Sequence, residues 1–207
     1  MNTNSNRYTV IYTTLVCVLV AAVLAVVSQA LKPRQAANEK AETVRQILVA
    51  AGLGEMNKWR EVDNTSVLDF FNENIQGSPQ IYTTSQLKAQ NYNIKNGKPL
   101  SLPVYRFKNG VTVLAIYGAG LWGPVWGYIG LEEDMETVTG AYFDHESETP
   151  GLGGKIKDDP SFRDSFRGKR INDGRLEFDA ISGATMTSRG LAAAIDTWIG
   201  AYQNTEQ

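Results

Sequence analysis

Three textures of apolar and polar positions divide the chain. The first is unbroken: the 24 residues between Arg7 and Lys32, YTVIYTTLVCVLVAAVLAVVSQAL, carry no charge. At 1.5 Å per residue they make a helix of about 36 Å, enough to cross a hydrocarbon core of about 30 Å with some tilt. Tyr8 and Tyr12 stand at one end, where interfacial aromatics sit, and Lys32 and Arg34 close the other. The rival reading is a secretory signal peptide, with Ser28-Gln29-Ala30 as a small-x-small cleavage site, but signal apolar cores run only about 7–15 residues. Length therefore favours a retained membrane anchor over residues 8–31, behind a short leader, residues 1–7. Basic residues flank both ends and leave orientation open; the short leader points to a signal-anchor with the bulk of the chain exported.

The second texture has a period of three to four. Ala37, Ala41, Val44, Leu48 and Ala51 share one face of a predicted amphipathic helix that Gly52 and Gly54 stop, so residues 32–54 read as a helical stalk. Residues 55–79 mix polar and aromatic side chains and hold one further short helix before the Gly77-Ser78-Pro79 break. From about residue 80 the third texture begins, short β-branched and aromatic runs between glycines. PVYRFKNG leads through Asn109-Gly110, a two-residue hairpin signal, into VTVLAIYG, then WGYIGL and TVTGAYFDH. The period of three to four returns at the end, where Leu191, Ala194, Ile195, Trp198 and Ile199 line one face of a final helix. The expected fold is α+β: a twisted, largely antiparallel sheet flanked by helices over residues 55–207, with its motifs within 100–200, on one N-terminal transmembrane helix.

Composition narrows the chemistry. The 207 residues are 43% hydrophobic and 20% charged, with a formal net charge of -2, a globular balance with no basic footprint for nucleic acid. One cysteine, Cys17, permits no internal disulfide, and with one histidine, His145, it leaves too few soft ligands for a zinc or iron–sulfur site. Cys17 lies within the apolar run and reads as a small apolar residue. A lone His145 reads as structural or exposed.

Three stretches carry candidate chemistry. In FDAISGATMTSRG, residues 178–190, Ser182 to Thr185 form a turn into the final helix, with Thr187 or Ser188 as its N-cap. The same geometry suits an anion: a helix N-terminus presents free N–H groups and partial positive charge, while Gly183 and Ala184 leave the Thr185 hydroxyl accessible. A threonine hydroxyl without a local base is a poor nucleophile, so attachment there needs another enzyme. In HESETPGLGGKI, residues 145–156, Thr149-Pro150 is a stiff entry and Gly151, Gly153 and Gly154 allow a backbone that lies against a planar ligand, with Leu152 as an apolar contact; a plain surface loop explains the same residues. In GAGLWGPVWGYIGL, Trp122 and Trp126 suit either core packing or stacking on a conjugated ring. Gly118, Gly120 and Gly123 match a dinucleotide fingerprint in spacing only, since no βαβ unit surrounds them. The basic run Arg163, Arg167, Lys169, Arg170 reads as a solvated face.

Together these residues resemble the FMN-binding domain family, whose flavin is joined through its phosphate to a threonine in a D-x-x-[ST]-G-A-[ST] motif. Asp179, Ser182, Gly183, Ala184 and Thr185 fill every defined position. ETPGLGG at 148–154, GLW at 120–122, SGATMTSRG at 182–190 and the single N-terminal span are similar to the C-subunit family of the sodium-translocating NADH:quinone oxidoreductases. The G subunits of Rnf ferredoxin:NAD complexes are cousins. GLGGKI and MTSRG, rather than an acid after GLG and a proline after the second threonine, tilt the likeness to the quinone reductase. Residues 55–95 show no matching motif.

The resemblance implies FMN on Thr185 as a phosphoester, installed from FAD by a separate flavin transferase. It also implies that Ser182, Gly183, Ala184, Glu148, Thr149, Gly151, Leu152 and Trp122 form the flavin site, with no metal. It implies an electron relay to membrane, flavin and iron–sulfur subunits of one respiratory complex, in the bacterial inner membrane with the flavin domain on the exported side. NADH oxidation by the isolated chain is not expected. Two rivals differ in kind: a non-redox tethered interaction domain, in which SGAT is only a cap, and an acyl hydrolase using Ser182 or Thr185, which lacks a base.

Overall fold

The computed structural model describes residues 6–83 and 101–206. The first five residues of the leader, and residues 84–95 of the stretch without a matching motif, lie outside the described residues. The chain forms two compact units, Met1–Glu42 and Thr43–Gln207.

Helix α1 runs unbroken from Asn6 to Ala50, 45 residues, with Pro33 inside it. In the first unit it is long and apolar enough to cross a membrane. Its apolar side chains, from Val10 to Leu31, are exposed along the helix, and Tyr8 stacks on Tyr12 with ring centroids 6.1 Å apart. A helix apolar all round, with its side chains exposed among the described residues, is what a lipid environment accepts.

The second unit is built on one antiparallel sheet whose strand order is the order of the chain: β1 (Gln80–Thr83), β2 (Ser101–Arg106), β3 (Thr112–Ala119), β4 (Pro124–Leu131) and β5 (Val138–His145). The expected α+β sheet flanked by helices is the observed one. The hairpin at Asn109-Gly110 forms, one residue longer than its dipeptide signals. Phe107 N–H donates to Val111 O (2.8 Å), Gly110 N–H to Phe107 O (3.0 Å), and Gly110 takes φ 87°, so the loop is Lys108 to Gly110 with glycine at the bulge position.

Both faces of the sheet are covered, which explains why VTVLAIYG is a continuous apolar run rather than an alternating one. On one face Val113 joins Val44, Ile47, Leu48, Trp59, Val67, Phe71 and Phe107. On the other, Leu114, Ile116, Val125, Ile129 and Phe143 pack against Leu191, Ile195, Trp198, Ile199 and Tyr202 of the last helix, α6 (Thr185–Glu206). The final face read from the sequence is thus the buried one. The last turns of α1, Thr43–Ala50, lie in the second unit and supply part of its core. Gly130 and Gly140 are cross-strand partners, and a Cβ on either would strike the end of that helix, 2.0 Å from Ala50 O and 2.7 Å from Val49 O.

Residues 55–79 hold two helices where one is expected, α2 (Met56–Glu61) and α3 (Asn64–Asn74). Asp63 separates them as the N-cap of α3, accepting from Thr65 N–H and Ser66 N–H, both at 3.0 Å. Arg45 ties this layer to α1: its Nε donates to Trp59 O and its Nη2 to Val62 O, both at 2.9 Å. After β5 come two short helices, α4 (Lys155–Asp158) and α5 (Pro160–Asp164). Part of the basic run is structural rather than only solvated: Arg163 donates to Lys157 O (2.9 Å) and stands over the Tyr142 ring, and Arg170 pairs with Glu136.

Candidate functional site

The three stretches singled out in the sequence meet at one end of the sheet. The turn between β3 and β4 closes through Gly120 N–H to Gly123 O (2.8 Å), and it leaves Leu121 and Trp122 facing solvent. Trp122 is 65% exposed, so the core-packing reading does not hold for it, whereas Trp126 on β4 is half-buried. Gly118, Gly120 and Gly123 lie across an antiparallel hairpin, not a strand-to-helix turn.

The loop after β5 turns at Gly151, φ 74°, and places Leu152, 44% exposed, beside the SGAT turn. A Cβ on Gly183 would come 2.9 Å from Leu152 Cδ2, which puts the two loops in contact. Thr149 is exposed on the same loop, and its carbonyl accepts from Leu152 N–H (3.1 Å) and Gly154 N–H (3.0 Å).

The SGAT turn itself is tight. Ala184 N–H donates to Ile181 O (2.9 Å), Gly183 takes φ 78°, and Ser188 N–H makes the first helical bond, to Ala184 O (2.9 Å). Helix α6 therefore starts at Thr185, earlier than the expected cap at Thr187 or Ser188. Neither residue caps: both lie inside the first turns and are buried. Ser188 Oγ accepts from Ile181 N–H (3.0 Å), bracing the turn from within, and Thr187 Oγ1 donates to Glu148 Oε2 (2.6 Å). Thr185 is left exposed at the head of a 22-residue helix, whose first N–H groups have no helical carbonyl to meet. Ser182 and Asp179 are exposed beside it, and Met186 is 55% exposed. Gly190 lets the helix approach β3, since a Cβ there would lie 2.1 Å from Ala119 O.

Glu148 departs most from its sequence reading. It is 4% exposed, and its Oε1 accepts from Trp122 N–H (2.9 Å) while Oε2 takes the Thr187 hydroxyl. Its own N–H donates to His145 Nδ1 (3.2 Å), which makes the lone histidine a structural acceptor at the end of β5. Thr187 escapes sequence reasoning as a site residue because its partner lies 39 positions away, beyond any local pattern.

The residues present fit FMN in their chemistry. A hydroxyl stands free at a helix N-terminus suited to a phosphate, and exposed Leu121, Trp122, Leu152 and Met186 offer apolar surface around it. Residues 120–200, the stretch that holds the Gly120–Gly123 turn, the Leu152 loop and the SGAT turn, match the family model of the FMN-binding domain. The likeness drawn from the motifs holds for the individual relatives as well. The C subunit of the Na(+)-translocating NADH-quinone reductase of Vibrio anguillarum is 26% identical over 93% of this chain and 89% of its own length. Its counterpart in Vibrio vulnificus strain YJ016 is 34% identical over 47% of this chain, and the match spans about half of that relative, 46%. Among solved structures, the counterpart from Parabacteroides distasonis superposes with TM-score 0.63 at 26% identity, covering 84% of this chain and 96% of that one. The Shewanella oneidensis protein NqrC shares the fold, with TM-score 0.59 at 22% identity, over 78% of this chain and 95% of that one.

Proposed function

We propose that this chain is the membrane-anchored, FMN-carrying electron-transfer subunit of a sodium-translocating NADH:quinone oxidoreductase, with the flavin held as a phosphoester on Thr185. The observation that carries the reading is the exposed Thr185 at the head of α6, two residues after Gly183, where a Cβ would lie 2.9 Å from Leu152 Cδ2. The C-subunit relatives support this complex over an Rnf complex, which stays as the alternative.

When bound, FMN supplies reversible electron uptake and release that no side chain can. The protein binds and orients. The N–H groups at the start of α6 would hold the phosphate, and the helix dipole would stabilise its charge. Gly183 and Ala184 keep bulk away from the ester, with Ser182 alongside. Thr149, Gly151 and Leu152 would border the ring from one loop and Trp122 from the other. Thr185 Oγ would hold the group as a phosphoester, and its hydroxyl proton would have to pass to a base when that bond is made. Glu148 spends both its oxygens elsewhere, so the base is assigned to a separate flavin transferase. Residues 8–31 fix the protein in the bacterial inner membrane, lipid around them and the domain on the exported side. The partners are the other membrane, flavin and iron–sulfur subunits.

The test is protein made in a host with its own flavin transferase, run on a denaturing gel under ultraviolet light. The wild-type band is expected to fluoresce, and Thr185→Ala to abolish the fluorescence without loss of circular dichroism in the far ultraviolet. A wild-type band that stays dark overturns the reading.

A further inference from the structure

We propose that Glu148 is the positioning residue of this site, a buried carboxylate that locks together the three segments bearing Thr185 and the exposed apolar surface. The inference rests on the flavin reading above. Each oxygen takes a different segment: Oε1 holds the β3–β4 turn through Trp122 N–H, Oε2 holds the first turn of α6 through Thr187, and the residue's own loop bears Leu152. His145 Nδ1 then fixes that loop to the end of β5.

Leu121, Trp122, Leu152 and Met186 are exposed, so packing does little to fix where they stand relative to one another. Their placement comes from the backbone segments that carry them, and the carboxylate joins those segments. Hydrogen bonds to an ionised acceptor are about twice as strong as neutral ones, which suits a clamp made of only two. A buried carboxylate is also costly to keep unless its bonds are made, and no ion pair reaches Glu148 among the described residues. An apolar side chain would brace three loops at lower cost but could not specify one arrangement through two directed bonds.

Two glycines leave room for this group. A Cβ on Gly120 would lie 2.5 Å from Oε1, and one on Gly153 would lie 2.3 Å from Oε2 and 2.7 Å from Thr187 Oγ1. At Gly120 in GAGLW and Gly153 in PGLGG, the carboxylate is thus the nearest group a side chain would meet.

The experiment uses the full chain, with covalent FMN verified by mass after denaturation, and reads the visible circular dichroism of the flavin bands, which reports how rigidly the ring is held in a chiral frame. Glu148→Ala is expected to keep the FMN but lose at least about two-fold of that signal, because a site is only as exact as the shell that supports it. Thr187→Val, which keeps shape and removes one donor, should lose less in the same direction. Glu148→Gln, which still accepts from Trp122 while the Thr187 hydroxyl turns to accept, should restore most of the signal. The proposal is overturned if the alanine and valine variants, FMN attached, keep the wild-type signal whatever happens to their melting temperature. It is overturned equally if glutamine is as damaging as alanine. Should the alanine variant not fold, the valine and glutamine variants decide. Wild-type protein without FMN would sink the flavin reading and this one together; wild-type protein with FMN and unresponsive variants sinks only this one.

Discussion

At two places in the second unit, glycines forgo a side chain so that something else can come close, and what enters differs. Gly130 and Gly140 make way for the carbonyl end of α1, a piece of main chain that completes the core. Gly120 and Gly153 make way for the Glu148 carboxylate, next to a surface where Trp122, Leu152 and Met186 remain exposed. A glycine pair in a strand or loop therefore announces close approach, not function. The nature of the intruder separates a structural joint from a site: backbone oxygen in an apolar layer in one case, an ionisable group holding separate segments in the other.

Substitution at the two joints should break this symmetry. Gly130→Ala aims its methyl at Ala50 O, a main-chain atom that cannot rotate away, and overpacking of this kind costs about 1–3 kcal/mol. Chemical denaturation should show that loss, while the folded fraction keeps its full share of FMN. Gly153→Ala meets Glu148 Oε2, which can turn away only by giving up its Thr187 bond, so its stability loss should lie at the low end of the same range, about 1 kcal/mol. Its cost should instead appear in the visible circular dichroism of the flavin.

A third acid sharpens the contrast from the other side. Asp134, in the exposed turn between β4 and β5, accepts from Thr137 Oγ1 (2.6 Å), Thr137 N–H (2.8 Å) and Glu136 N–H (2.9 Å). The Thr137 hydroxyl first, then these backbone donors and nearby Arg170, hold its carboxyl down from 3.8 to about 2. A carboxyl depressed in the folded state binds its proton more readily when unfolded. Its stabilisation is therefore present above about pH 4 and is lost as pH falls toward 2. Asp134→Asn should lose this small contribution at pH 7 and converge on the wild type as pH falls toward 2, flattening the acid limb of stability, measured by denaturation across pH 2–7. This is the smallest effect expected, and it should leave the flavin signal untouched.

Much of the fold is legible because it is written in local patterns. Asn109-Gly110 marks the hairpin, the spacing of Leu191, Ile195, Trp198 and Ile199 marks the buried face of α6, and the apolar run marks the long first helix. The break at Asp63 that makes two helices of residues 55–79, where one is expected, also has a local signal, an N-cap aspartate followed by Ser66. The start of α6 is expected too late because Thr187 and Ser188 look like caps, while the residue before the helix is Ala184, which cannot cap. For the candidate site, Thr185, Gly183 and Leu152 are found by motif and lie together. The use of Glu148, Thr187 and Ser188 is hidden, since each depends on a partner brought near only by the fold. The same holds for Gly130 and Gly140, whose purpose appears only once α1 is laid beside them.

The proposed role stands or falls on where the flavin is bonded. Tandem mass spectrometry of a proteolytic peptide spanning residues 182–189, from protein flavinylated in its host, tests that directly. The expected result is the mass of FMN less one water, localised to the Thr185 side chain. A peptide of unmodified mass, or the addition on Ser182 or Thr187 instead, would contradict it.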